Sequence, residues 1–194
     1  MAVRRVLRAS LAVATMGVAA HAAPAPAPAA PPDPAAEIAK LEASVPPPRA
    51  ADVGSIDAIM HAIYDVISGP PGPRDWNRFR SLLVPVARLT TSTIDAHGRP
   101  RVVLIGVEDY ISKAGAHFAT QGFFESGLVN KVDRFGNVAQ VFSSYASRST
   151  ADGTPFARGI NSMQLFYDGK RWWVLSILWD EERAGNPLPK AMGG

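Results

Sequence analysis

The stretch RGINSMQLFYDGKRWWVLSILWDEE, residues 158–182, says more about the fold than any other part of the chain. Asp168-Gly169-Lys170 separates two apolar-rich runs, and glycine supplies the positive φ that a tight hairpin turn demands. Residues 157–167 and 171–181 therefore read as a pair of antiparallel strands. Successive strand residues point to opposite faces. Strict alternation puts Trp173, Leu175, Ile177 and Trp179 on one face and Trp172, Val174 and Leu178 on the other. Both faces are apolar. If helices cover one, the other needs a different partner, and a second copy of the chain is the simplest. A homodimer through the sheet face is the expectation.

Upstream, residues 122–134 and 137–148 form a second long pair around Arg134-Phe135-Gly136-Asn137. Residues 87–94 and 101–106 form a shorter pair around the polar turn Asp95-Ala96-His97-Gly98-Arg99-Pro100. Three helices complete the pattern. Over 55–67, Ile56, Ile59, Met60, Ile63 and Ile67 make one stripe, Ser55 caps the helix, and Gly69-Pro70-Pro71-Gly72-Pro73 ends it. A second helix near 74–83 carries Trp76, Phe79 and Leu83; a third, 107–118, turns Val107, Tyr110, Ile111, Ala114 and Phe118 inward. The order ααββαββββ describes an α+β domain with helices packed on one face of a curved antiparallel sheet.

The N-terminus reads differently. Arg4, Arg5 and Arg8 precede an apolar run from Ala9 to Ala20, and Ala20-His21-Ala22 has the small-x-small spacing of a signal-peptidase site. Residues 1–22 are expected to be a cleaved signal peptide, too short in its apolar run to span a bilayer. Arg4-Arg5 hints at twin-arginine export, but the flanking residues suit the general secretory route better. A periplasmic or secreted location follows, with no membrane partner after cleavage. Residues 23–50 read as an alanine/proline tether holding at most a short, loosely docked helix around Ile38, Leu41 and Val45. The compact domain is expected over 51–183, with 184–194 as a flexible C-terminal tail.

Charge and composition exclude several functions. The whole chain has 20 Lys+Arg against 17 Asp+Glu, but the three arginines of the signal account for the excess. The remaining chain is formally neutral, with no basic patch for nucleic acid. The absence of cysteine rules out disulfides, thiol catalysis, thiolate metal sites and a lipidated N-terminal cysteine. Nothing matches a phosphate-binding glycine loop, a nucleophile elbow or a zinc-binding helix, so neither cofactor nor metal is expected. Asp57, His61 and Asp65 share a helical face, but it lies opposite the apolar stripe and reads as solvated.

IDAIMHAIYDVI at 56–67, FGNVAQVFSSYASR at 135–148 and the hairpin at 158–182 together resemble the NTF2-like superfamily. The resemblance covers about residues 52–183 and implies a curved sheet wrapped by helices into a cone with an internal cavity. It does not fix a function, because that superfamily includes ketosteroid isomerases, dehydratases, cyclases and non-catalytic binders. Ketosteroid isomerases use a tyrosine of the first helix to donate to an enolate oxygen, so the resemblance gives Tyr64 that role. From the residues alone, packing is the simpler reading of Tyr64. Those enzymes also need a buried carboxylate base, which Asp95, in a polar turn, does not supply. Glu125 follows Phe123-Phe124 in a strand expected to be largely buried. It either faces the cavity with a raised pKa or, more simply, pairs with an arginine such as Arg158 or lies on an exposed strand face. The candidate pocket comprises Tyr64, Phe124, Glu125, Ser143, Tyr145, Asn161 and Trp179.

Three functions remain in view. The first is a module holding a small apolar or amphipathic molecule in the cone. The second is an acid–base enzyme of isomerase, dehydratase or cyclase type, with Glu125 as base and Tyr64 as donor. The third is a non-catalytic structural or dimerisation module whose cone is filled by its own side chains.

Overall fold

The computed structural model describes residues 33–194; the expected signal peptide and residues 23–32 of the expected tether lie outside them. In chain order the elements are α1 (Pro34–Ala43), α2 (Ala50–Val53), α3 (Ile56–Ile67), α4 (Trp76–Leu82), β1 (Leu83–Ile94), β2 (Pro100–Ile105), α5 (Val107–Phe118), β3 (Phe124–Phe135), β4 (Val138–Arg148), β5 (Ala157–Tyr167) and β6 (Trp172–Glu181). This is the α+β architecture expected from the sequence. No helix among the described residues is long and apolar enough to cross a membrane.

Local chemistry explains where α3 begins and ends. Ser55 Oγ accepts the Ala58 amide at 3.0 Å, satisfying one of the donors a helix leaves free at its start. Ile59, Met60, Ile63, Val66 and Ile67 are then buried on the sheet-facing side. The proline loop that follows has carbonyls but few amides with which to answer them. Arg74 supplies the missing donors, reaching the carbonyls of Ile67, Gly69, Pro70 and Gly72 from one guanidinium. Its charge also stacks 5.0 Å from the Phe118 ring, which ties the loop to α5. Arg78, on α4, bridges Asp52 of α2 and Asp65 of α3, joining three helices through one side chain.

The six strands lie in the order β2-β1-β6-β5-β4-β3. Every neighbouring pair is antiparallel except β1 with β6, which is parallel, so the sheet is mixed rather than wholly antiparallel. Hairpin turns reveal direction only for strands joined by those turns. β1 runs straight out of α4, and no local signal relates its direction to a strand so distant in sequence.

A second difference lies in the hairpin itself. The pairing of β5 with β6 shifts between Gln164 and Leu165: Leu165 opposes Val174 and Gln164 opposes Ser176, leaving Leu175 as an extra residue. The bulge resets the alternation. Trp172, Val174, Ile177, Trp179 and Glu181 share the helix-covered face with Met163 and Asn161, while Trp173 and Leu178 belong to the other. Trp173 is nevertheless fully buried, under an Arg171 guanidinium stacked 3.5 Å from its ring. Its indole N–H donates to Asp168 at 2.7 Å.

The ends pack more closely than the sequence suggests. Leu41 and Val45, in the stretch read as tether, lie against the core, and Glu42 pairs with Lys170 at 3.1 Å. Residues 184–194, expected as a flexible tail, bury Leu188 and Met192. Arg158 donates to the Gly193 carbonyl, and the Leu188 amide donates to Glu182 at 2.8 Å. Two apolar residues spaced among prolines and glycines carry no periodicity, so their burial was not readable from pattern. On the face away from the helices, one cross-strand row runs Phe142, Ser162, Leu178, Thr90, Leu104. Phe142, Leu178 and Leu104 in that row are exposed.

Candidate functional site

The helix-covered face is set by strand pairing. Glu125 opposes Ser147, Tyr145 opposes Gly159, and Ser143 opposes Asn161, which in turn opposes Trp179. Above this row, α3 contributes Ile63, Tyr64 and Ile67, and α5 contributes Tyr110. Between them is a cavity of about 230 Å³ whose wall also includes Phe79, Leu89, Phe123, Met163 and Ile177. Two glycines make the geometry possible. A Cβ at Gly159 would meet the Tyr145 hydroxyl at 2.6 Å and collide with the Asp180 carbonyl, and one at Gly127 would stand 3.1 Å from the Tyr64 ring.

Tyr64 is the inner polar point of the cavity. Its hydroxyl lies 2.6 Å from Ser143 Oγ and accepts from the Asn161 amide at 3.2 Å. Ser143 is completely buried, and among the described residues its hydroxyl has no other partner. A buried donor left unmade costs about 1–3 kcal/mol, so Ser143 donates to Tyr64. The phenol oxygen then accepts two bonds, and its own proton is left for the cavity. Burial pushes the Tyr64 pKa up to about 12, against the hydrogen bonds from Asn161 and Ser143. Tyr64 is therefore a neutral donor at physiological pH.

Glu125 is the second polar point. Burial pushes its pKa up to about 7, opposed by hydrogen bonds from Ser147 and Asn161, while the charge of Glu181 raises it further. The Ser147 hydroxyl donates to Glu125 Oε2 at 2.7 Å. The alternative pairing with Arg158 does not form: Arg158 lies 3.6 Å from Glu182 instead, because Glu125 and Arg158 fall on opposite faces of the sheet. Burial also raises the pKa values of the Tyr110 and Tyr145 hydroxyls well above the ordinary tyrosine range, with Glu125 adding to both. Phe156, Trp179 and Glu181 complete the wall, and Phe156 and Glu181 are exposed, marking the mouth.

Of the residues singled out from the sequence, Tyr64, Glu125, Tyr145, Asn161 and Trp179 line this cavity, and Ser143 stands behind Tyr64. Phe124 does not. Phe124 borders instead an open pocket between α3 and β3 with Asp57, His61 and Asp65, and Tyr64 and Glu125 reach the edge of that pocket as well. Ser147, Tyr110 and Glu181 were missed. Ser147 and Glu181 were within reach, since Ser147 continues the alternation of Ser143 and Tyr145, and Glu181 that of Ile177 and Trp179. Tyr110 sits on a helix face that reads simply as core.

No family profile matches the chain, and no curated protein does. Solved structures do. A Mycobacterium tuberculosis protein of unknown function superposes with a TM-score of 0.52 at 15% identity, covering 72% of this chain and 74% of its own. A Nostoc punctiforme protein described as having a cystatin-like fold gives 0.51 at 10% identity, covering 66% of this chain and 90% of its own. A Streptomyces avermitilis protein of the NTF2-like family gives 0.50 at 13% identity, covering 68% of this chain and 96% of its own. The chain has the NTF2-like fold. At such identities the likeness fixes the NTF2-like architecture alone, and the chemistry must come from the cavity.

Glu125 has a measurable consequence for stability. A carboxyl whose folded pKa lies near 7 against an ordinary 4.5 holds its proton in the fold. Its stabilising effect is complete below the unfolded pKa and is lost as pH rises through the folded one. Relative to Glu125→Gln, the wild type should lose on the order of 2 kcal/mol of unfolding free energy as pH rises across this window. Urea unfolding of both proteins at its two ends measures the difference; parallel behaviour would mean the carboxyl is solvated.

Proposed function

We propose that the cavity binds a small, largely apolar molecule through an oxygen atom that accepts the Tyr64 proton. One arrangement carries this: a buried hydroxyl 2.6 Å from Ser143 Oγ, accepting from Asn161 and, by the donor argument above, from Ser143, with its own proton left for an open volume among aromatic and aliphatic walls. A cavity of about 150 Å³ accommodates benzene, so this one suits a molecule of about ten non-hydrogen atoms. The open volume argues against a purely structural module with a filled cone.

The position and titration of Glu125 favour a second reading, an acid–base enzyme of isomerase or dehydratase type. A carboxylate with a pKa near 7 is matched to proton transfer at neutral pH. It would take the proton from the carbon beside a carbonyl. The C–H electron pair then forms the new C=C bond, and the carbonyl oxygen gains negative charge against the Tyr64 hydrogen bond. The signal-like N-terminus supports placing this work outside the cytoplasm.

Acetophenone, an enolisable ketone of suitable size, tests both readings. Binding followed by calorimetry should weaken about two- to tenfold in Tyr64→Phe. Exchange of its methyl protons into D2O, followed by NMR, should be accelerated by the wild type and abolished in Glu125→Gln. Binding without exchange would leave a non-catalytic binder; absence of both would contradict the proposal. The exposed row of Phe142, Leu178 and Leu104 supports the pairing of two copies through the outer sheet face. Light scattering should give a dimer mass that Leu178→Glu reduces to a monomer, and a monomeric wild type would refute it.

A further inference from the structure

The run Asp180-Glu181-Glu182 closes β6 at the mouth of the cavity, and its three carboxylates are treated differently. Asp180 pairs with Arg183 at 2.7 Å, and Glu182 lies 3.6 Å from Arg158. Glu181, between them, makes no ion pair among the described residues. Strand alternation turns its neighbours to the outside and Glu181 to the cavity, where it lies beside Trp179 and the exposed Phe156. The cavity wall contains no lysine, arginine or histidine. Its carboxylates are Glu125, half-buried on β3, and Glu181, exposed at the rim.

We propose that Glu181 selects the charge of the ligand, accepting a molecule with a cationic outer end and turning away an anionic one. It rests on the cavity being a ligand site, as argued above. The polar requirements then differ along the cavity: an oxygen acceptor at Tyr64, an apolar body along the walls, and an ammonium group at the mouth. A carboxylate that shares the cavity wall with Trp179 and Phe156 offers such a group an opposite charge beside aromatic surface, which also favours cations. An anion at the same position meets a like charge that no ion pair neutralises, because the adjacent Arg183 guanidinium donates to the Glu181 carbonyl at 2.8 Å and spends its charge on Asp180. The substrate or ligand class is an amine-bearing carbonyl compound rather than a carboxylic or phosphorylated one.

Three ketones sharing one end make the test: acetophenone, 4-acetylbenzylamine and 4-acetylbenzoate, measured at low salt. Attraction and repulsion at a half-exposed site are each worth about two- to fivefold. The amine should therefore bind about tenfold tighter than the carboxylate, with acetophenone between them. Glu181→Gln should shrink that ratio to within about threefold, as should high salt in the wild type. A ratio unchanged in Glu181→Gln, or equal binding of amine and carboxylate while acetophenone still binds, overturns the charge selection alone. Failure of all three to bind overturns the cavity reading as well.

Discussion

A serine hydroxyl with no access to water must find its partner inside the protein, and Ser143 finds it on Tyr64, 2.6 Å away. That bond joins α3 to the middle of the sheet, and the Asn161 amide reinforces it from the next strand. Its direction matters as much as its existence. Because Ser143 needs an acceptor, the phenol oxygen serves as one, and the phenolic proton is released to the cavity. One buried side chain thus decides whether the inner end of the cavity donates or accepts.

The backbone around this cluster is arranged to leave space rather than to fill it. Gly127 lets the Tyr64 ring approach β3, and Gly159 lets Tyr145 reach across β5 without meeting a side chain. The bulge at Leu175 rotates the end of β6 so that Ile177, Trp179 and Glu181 line the interior. Away from the cavity the same chain uses charge to fasten its parts. Arg74 gathers the proline-loop carbonyls, and Arg78 clamps Asp52 and Asp65, which holds the helices over the sheet. The rigid frame and the unfilled interior are therefore separate products of the sequence.

Most of the elements were legible because their signals are local. The Ile56–Ile67 stripe, Ser55 and the glycine-proline run bound α3, and Asp168-Gly169 places the last hairpin. Much of the pocket was legible too, since Tyr145, Asn161 and Trp179 are polar or aromatic residues within strands expected to form the sheet. The rest depends on relations that no short window contains. The parallel pairing of β1 with β6 joins distant strands. The Leu175 bulge inserts one residue into a pattern whose period is two, and so reverses every later assignment on β6. Whether Glu125 met Arg158 or the cavity was decided by register, as was the fate of Phe124 beside it.

The central claim is that Glu125 lies in a weakly solvated cavity beside the Tyr64 hydroxyl. The most direct measurement is the titration of the Glu125 carboxyl carbon by NMR in selectively 13C-labelled protein. A midpoint near 7 is the result this structure requires. A midpoint near the ordinary 4.5 would mean that water reaches the carboxylate freely, contradicting its burial and its fitness as a base at neutral pH.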